Sequence, residues 1–285
     1  MKNLNFAFWG TPEISSQTLG ILFNHGYIPS IIITSPDARS GRGMHLTSTP
    51  VDLWANSHNI KCLKPEKINH EFIENFKKLQ IDLSIVVAYG KILPEDIIKT
   101  PRLGTINIHY SLLPKYRGAS PLESALLNGD TNTGISIQQM VFKLDSGPII
   151  KEIEIPISIN DTKDDLRKKL TILGGETLCD ILPNISTEKI TLKNQREEDA
   201  TFCKKIKKED GLIELNGNQK ENYNKYRAFF GWPGIYFFIN KKDKHIRIKI
   251  TKAHYENDSF IIERVIPEGK KEIEYNLFIK SNTLM

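Results

Sequence analysis

The feature that most limits what this chain can fold into is a change of rhythm along its length. Through the first part, short apolar runs alternate with stretches whose apolar residues recur at helical spacing. Residues 5–9 read as a first buried strand and run into Gly10-Thr11-Pro12. Residues 14–24 carry Ile14, Leu19, Leu22 and Phe23 at helical spacing, and Gly26 follows as a stop. Residues 27–34 form a β-branched run, a second strand, and residues 35–49 a loop without periodicity around Gly41-Arg42-Gly43. Pro50 opens a helix to about His58, followed by a short strand at 61–63 and an amphipathic helix at 71–79. A fully apolar strand at 83–88, a short helix at 94–99 and a strand at 104–109 continue the pattern. A helix at 121–127, strands at 134–140 and 147–155, and a long helix at 162–182 complete it. Such alternation predicts an α/β fold with a doubly wound, mostly parallel sheet.

Residues 184–199 are polar and weakly periodic, which predicts a catalytic-type domain over 1–183, a linker over 184–203 and a second domain over 204–285. Beyond the linker the runs become short and strand-like, at 234–239, 245–251, 259–265 and 272–279. Turn residues separate them, and the spacing predicts a small β-barrel with a helix at 222–230 on its side.

Charge follows the same division. From residue 204 onward there are 17 Lys and Arg against 11 Asp and Glu, whereas the first 203 residues carry 22 against 23. The basic excess therefore sits in the last third, which points to a polyanion, nucleic acid first, unless it is only a solvated lysine-rich face. No apolar run approaches the ~20 residues that span a bilayer. The N-terminus enters a strand pattern directly, without a secretory signal, so no membrane partner and a cytoplasmic location are expected. Three widely spaced cysteines, Cys62, Cys179 and Cys203, argue against a disulfide framework and against a zinc site.

The first strand ends in Gly-Thr-Pro, with no G-x-G-x-x-G behind it, and no G-x-x-x-x-G-K-[ST] occurs anywhere. A phosphate-cradling reading thus loses its support. The residues with chemistry lie elsewhere, near strand ends, where ligands of such sheets bind. Asn107 and His109 are two apart in a strand and so share a face. Asp145 follows in a turn, Asp145-Ser146-Gly147. An Asn amide can donate to a developing oxyanion, a His can move a proton near neutral pH, and an Asp can orient the imidazole. Read locally, a lone His on a strand is more often structural than catalytic, and the Asp is a turn signal.

The wider wording goes further. Residues 107–114, Tyr116-Arg117-Gly118-Ala119-Ser120-Pro121, Gly129-Asp130, Thr133-Gly134 and Leu144-Asp145-Ser146-Gly147 closely resemble the 10-formyltetrahydrofolate-dependent formyltransferase family. Phe8-Trp9-Gly10-Thr11-Pro12-Glu13, Pro36-Asp37, Gly41-Arg42-Gly43, Thr49-Pro50-Val51 and residues 86–94 resemble its branch that acts on methionyl-tRNA. Ala200-Thr201-Phe202, Lys205-Ile206, Lys208-Glu209-Asp210, Arg227-Ala228-Phe229, Trp232-Pro233-Gly234 and residues 267–271 extend the likeness into the second domain.

The resemblance implies a catalytic trio of Asn107, His109 and Asp145, with 10-formyltetrahydrofolate as formyl donor, initiator methionyl-tRNA as acceptor and no metal. It implies a folate site from Ser111, Leu112, Leu113 and Pro114, and a pterin pocket from Val87, Ala88, Tyr89, Gly90, Ile92 and Leu93. The loop with Gly41, Arg42 and Gly43 would meet the tRNA acceptor end, and an OB-like barrel its backbone. The stretch between Ala253 and Val265 is shorter than the family pattern, so a barrel hairpin that is trimmed or missing is expected. A monomer is the default. Three rivals share parts of this pattern: transfer to an amino-sugar nucleotide, hydrolysis of the formyl folate, and tRNA binding without turnover.

Overall fold

The structure, a computed structural model, describes residues 4–40, 44–241 and 244–283. In chain order the first elements are β1 (Phe6–Gly10), α1 (Glu13–Asn24), β2 (Ile31–Ile33), β3 (Ala38–Ser40), β4 (His45–Thr47), α2 (Pro50–Ser57), β5 (Cys62–Leu63) and α3 (His70–Lys77). Then come β6 (Leu83–Val87), α4 (Glu95–Lys99), β7 (Thr105–His109), β8 (Arg117–Gly118), α5 (Pro121–Leu127), β9 (Asn132–Gln139), β10 (Ile149–Pro156) and α6 (Lys163–Ser186). The chain ends with β11 (Phe202–Cys203), α7 (Gln219–Ala228), β12 (Ile235–Lys241), β13 (Lys244–Glu256), β14 (Ser259–Pro267), β15 (Ile273–Glu274) and α8 (Tyr275–Thr283).

Two compact units share these elements. One takes the chain to Ala119, then Gly134–Glu154 and Arg167–Phe202; the other takes Ser120–Thr133, Ile155–Leu166 and everything from Cys203 onward. Residues 120–133 and 155–166, placed by the sequence within the first 183, thus pack with the second unit, and the polar stretch through Phe202 packs with the first.

The first unit is built on a seven-stranded sheet in the order β10-β9-β7-β6-β1-β2-β5. β1 runs parallel to β2 and β6, β6 to β7, and β2 to β5; β9 is antiparallel to β7. β1 and β6 are buried along their whole lengths. That is why both read as continuous apolar runs: a parallel strand covered on both faces has no solvent side to colour polar. On one face Ala7 and Trp9 join Ile33, Ile73, Phe76, Val86, Ile97 and Ile98, so α3 and α4 cover the sheet there. Trp9 meets Phe76 and Tyr89 edge-on at 5.4 Å, and its indole N–H donates to Ser84 Oγ at 3.2 Å, which satisfies the polar atom such a burial strands.

The second unit holds a four-stranded antiparallel sheet, β12-β13-β14-β15. Tyr223 and Tyr226 of α7 lie against Tyr255 and Phe260, with ring centroids 5.4 and 6.2 Å apart, and seat the helix on β13 and β14. Asn257 and Asp258 join these strands as a two-residue turn with φ of 48° and 57°. Positive φ at both positions is the type I′ geometry that matches strand twist, and Asn and Asp tolerate it. The hairpin expected to be trimmed is therefore as tight as a hairpin can be.

Three expectations need correction. Residues 272–279 were expected as a strand; only β15 pairs, and α8 follows, with Tyr275 and Phe278 stacked one helical turn apart at 6.3 Å. The loop 35–49 carries the hairpin β3–β4. The strand expected over 27–34 shrinks to β2, because Pro29 has no N–H to give a ladder. Among the described residues no helix is long and apolar enough to cross a membrane.

Candidate active site

β7 carries Asn107 and His109 on one face, inside the sheet between β6 and β9. Its antiparallel neighbour β9 sets Gln138 directly opposite Asn107, and Ser136 opposite His109. Ser136 and Gln138, alternating with Ile135 and Ile137 along β9, thus form a polar patch beside Asn107 and His109.

The chain after β7 turns back on itself. Ser111 donates its hydroxyl to the Lys115 carbonyl at 2.6 Å, the Leu113–Pro114 bond is cis, and Tyr116 sits at φ 60°. This turn brings the Tyr116 carbonyl to 2.9 Å from His109 Nε2. A carbonyl only accepts, so Nε2 carries the hydrogen and Nδ1 of the neutral ring is bare. Nδ1 faces Asp145 Oδ2 at 3.8 Å. Burial pushes the His109 pKa below the ordinary histidine value, against the pull of the Asp145 charge and of the Tyr116 carbonyl. Burial thus favours the neutral ring, which is able to accept a proton.

Asp145 is fixed by its own contacts. Oδ2 accepts the Gly118 backbone N–H at 2.8 Å, and Oδ1 accepts Gln138 Nε2 at 3.1 Å. Hydrogen bonds to a charged acceptor are worth ~1.5–3 kcal/mol each, enough to hold the carboxylate in one orientation. Asp145 itself sits at φ 44°, and the turn closes at Gly147. A Cβ on Gly147 would lie 1.7 Å from the Gln139 carbonyl oxygen, so this closure admits glycine alone. Gln138 is 1% exposed, and its Oε1 has no partner among the described residues.

The loop after β6 is pinned by its backbone. Ser15 Oγ donates to the Val87 carbonyl at 2.6 Å, and Thr11 Oγ1 to the Tyr89 carbonyl at 2.9 Å. Val87, Tyr89 and Leu93 bury their side chains, whereas Ala88, Gly90 and Ile92 face outward, so a ligand here would meet backbone and Ile92. Nothing stands within 4 Å of where a Gly90 Cβ would be. Of the other residues named for a folate, Ser111 and Leu113 are buried, and Leu112 and Pro114 half-buried. Gly41, Arg42 and Gly43 lie outside the described residues.

Several residues without an assigned role converge on the same turns. Arg117, fully buried, donates Nε and Nη2 to Gln195 Oε1 at 3.0 and 2.8 Å, and grips both oxygens of Glu197 at 3.1 Å. Gln195 and Glu197 lie in the stretch that composition reads as linker. No sequence signal marks them, since the burial that makes Arg117 call for a carboxylate exists only in the fold.

The comparisons with known proteins identify relatives of the whole chain. The formyl transferase model matches residues 24–182, and the formyl transferase C-terminal domain model matches residues 205–263. A methionyl-tRNA formyltransferase of Sulfurihydrogenibium sp. is 39% identical, over 94% of this chain and 86% of that protein. Among solved structures, methionyl-tRNA formyltransferase from Clostridium thermocellum superposes with a TM-score of 0.62 at 16% identity, covering 95% of this chain and 99% of the other. An N-formyltransferase from Helicobacter canadensis, in complex with folinic acid and dTDP-3-aminofucose, superposes with a TM-score of 0.68 at 20% identity, covering 95% and 98%. At those identities the superpositions speak for the fold, whereas the Sulfurihydrogenibium relative speaks for descent, and on that ground the chain belongs to the methionyl-tRNA formyltransferase family.

Proposed function

We propose that this chain transfers the formyl group of 10-formyltetrahydrofolate to the α-amino group of initiator methionyl-tRNA. The observation that carries the reading is the His109 ring, with Nε2 2.9 Å from the Tyr116 carbonyl and Nδ1 3.8 Å from the oriented Asp145 carboxylate. The folate supplies a formyl carbon on a nitrogen that can leave. Asn107, half-buried on the same face as His109, is placed to donate its amide to the oxygen that becomes negative when the amine adds. His109 accepts the proton that the amine sheds, at Nδ1, and the imidazolium so formed lies between Asp145 and the Tyr116 carbonyl. The same proton is then available to the departing folate nitrogen. The outward backbone at Ala88 and Gly90, held by Ser15 and Thr11, suits a flat ring rich in donors and acceptors.

In the second unit, β12 and β13 place Tyr236 opposite Lys249 and Phe238 opposite Arg247, with His245 further along the same face. Arg247 lies over the Tyr236 ring at 5.7 Å. Cations interleaved with aromatics suit an RNA backbone and its unstacked bases. In this reading the first unit, its segment through Phe202 included, carries the chemistry and the second contacts the RNA, in a cytoplasmic monomer. The test is transfer of labelled formyl from the folate to charged initiator methionyl-tRNA, with an amino-sugar nucleotide as parallel acceptor. Label on the tRNA is expected; label on the sugar nucleotide alone would overturn the acceptor.

A further inference from the structure

Both acceptors that face the His109 ring are held in place by one short segment, residues 195–201. Gln195 Nε2 spends its two hydrogens on the carbonyls of Asp145 and Gly147, at 2.9 and 2.7 Å. Its Oε1 takes Arg117, as described, and Glu197 takes the far edge of Arg117 together with Lys143 Nζ at 2.8 Å. Lys143 belongs to the same turn as Asp145. At the other end, Thr201 Oγ1 accepts the Tyr116 N–H at 2.8 Å, the Thr201 carbonyl accepts the Arg117 N–H at 2.9 Å, and the Thr201 N–H reaches the Pro114 carbonyl at 3.2 Å. The start of the segment is tied in turn: Lys193 and Ile149 exchange both backbone hydrogen bonds, at 2.8 and 2.9 Å. The Asp145 turn and the Tyr116 turn therefore share a single clamp, with Arg117 as the pin between its two ends.

We infer that Gln195 and Thr201 are positioning residues of the transferase, fixing respectively the carboxylate and the carbonyl between which His109 works. The inference rests on the proposed function for its rate predictions, and on geometry alone for the state of the ring. Hydrogen-bond chemistry separates positioning from mere support. A glutamate at 195 still accepts from Arg117 but cannot, as a carboxylate, donate to two carbonyls. A valine at 201 removes only the hydroxyl that receives Tyr116, and a serine restores it.

The experiment compares Gln195→Glu, Thr201→Val and Thr201→Ser with the unmodified full chain. Steady-state kinetics give kcat and KM for both substrates, and ¹⁵N spectra of the His109 ring give its tautomer. Expected are a fall in kcat of ~10- to ~100-fold for Gln195→Glu and Thr201→Val with both KM values within ~2-fold, since misplacing a proton acceptor harms the transition state and not the bound ground state. The His109 spectrum should lose its single Nε2–H tautomer in those two variants and regain it, with kcat, in Thr201→Ser. Unchanged kcat and an unchanged tautomer in folded Gln195→Glu would overturn the inference, as would a Thr201→Ser that behaves like Thr201→Val. Should Gln195→Glu not fold, the Thr201 pair decides alone. If the unmodified protein transfers nothing to methionyl-tRNA, the proposed function falls, while the spectra still decide the clamp.

Discussion

His109 Nε2 lies 2.9 Å from the Tyr116 carbonyl oxygen, and this contact decides which ring nitrogen is basic. With Nε2 committed to donate, a proton can arrive only at Nδ1, on the side of Asp145. His109→Ala and Asp145→Ala should each lower turnover by ~10²- to ~10⁴-fold, with little change in RNA binding. Single-turnover transfer beside a filter-binding titration checks both halves, and a near-normal rate in either variant would remove the pair from the mechanism.

The pH dependence follows from burial. Because the ring resists protonation, the acid limb of kcat should lie below 6.5, the ordinary histidine value. Stability has a matching sign. As pH falls below 6.5, the unfolded chain binds a proton that the native ring refuses, so stability drops until the native ring's lower value is passed. Urea midpoints from pH 7 to pH 5 should decline less in His109→Gln than in the unmodified protein. An equal decline would place the titrating group elsewhere.

Gln138 offers a graded test of the Asp145 carboxylate. Gln138→Leu releases Oδ1 and should lower kcat by ~10-fold. Gln138→Glu should be worse, because two carboxylates about 3 Å apart cannot both ionise cheaply and one is pushed up. The order of the two rates is the measurement; glutamate matching or exceeding leucine would show that Asp145 does not need to be charged.

On the second unit, Arg247→Ala and Lys249→Ala should raise KM for the RNA and leave kcat alone. Each should reduce the slope of log affinity against log salt by about 1 if the side chain meets one phosphate. A salt slope unchanged in both would take this face off the RNA.

How much of this was visible in the sequence depends on which force shapes each part. The buried strands β1, β6 and β7 are legible because burial writes an apolar run, and Asn107, His109 and Asp145 stand out by their wording. Gln138 was legible in principle: a polar side chain at an alternate position of an apolar strand needs a reason. α8 misled because Glu272-Ile273-Glu274-Tyr275 alternates like a strand, whereas the packing of Tyr275 on Phe278 is set a turn apart. The clamp of residues 195–201 was not legible. Its cohesion is a set of hydrogen bonds between distant polar groups, and such bonds leave neither period nor composition behind, so the stretch reads as linker.

Arg117 also fixes where this protein can be divided. A fragment ending at residue 183, the boundary that composition suggests, would keep the guanidinium buried and remove Gln195 and Glu197, its acceptors. A buried cation that loses these acceptors is destabilised, and the turns at Tyr116 and Asp145 would lose their common tether with it. The shortest autonomous formyl-transferring piece must therefore run past Thr201, and any excision, fusion junction or protease nick placed between 184 and 201 cuts into the enzyme and not between its parts.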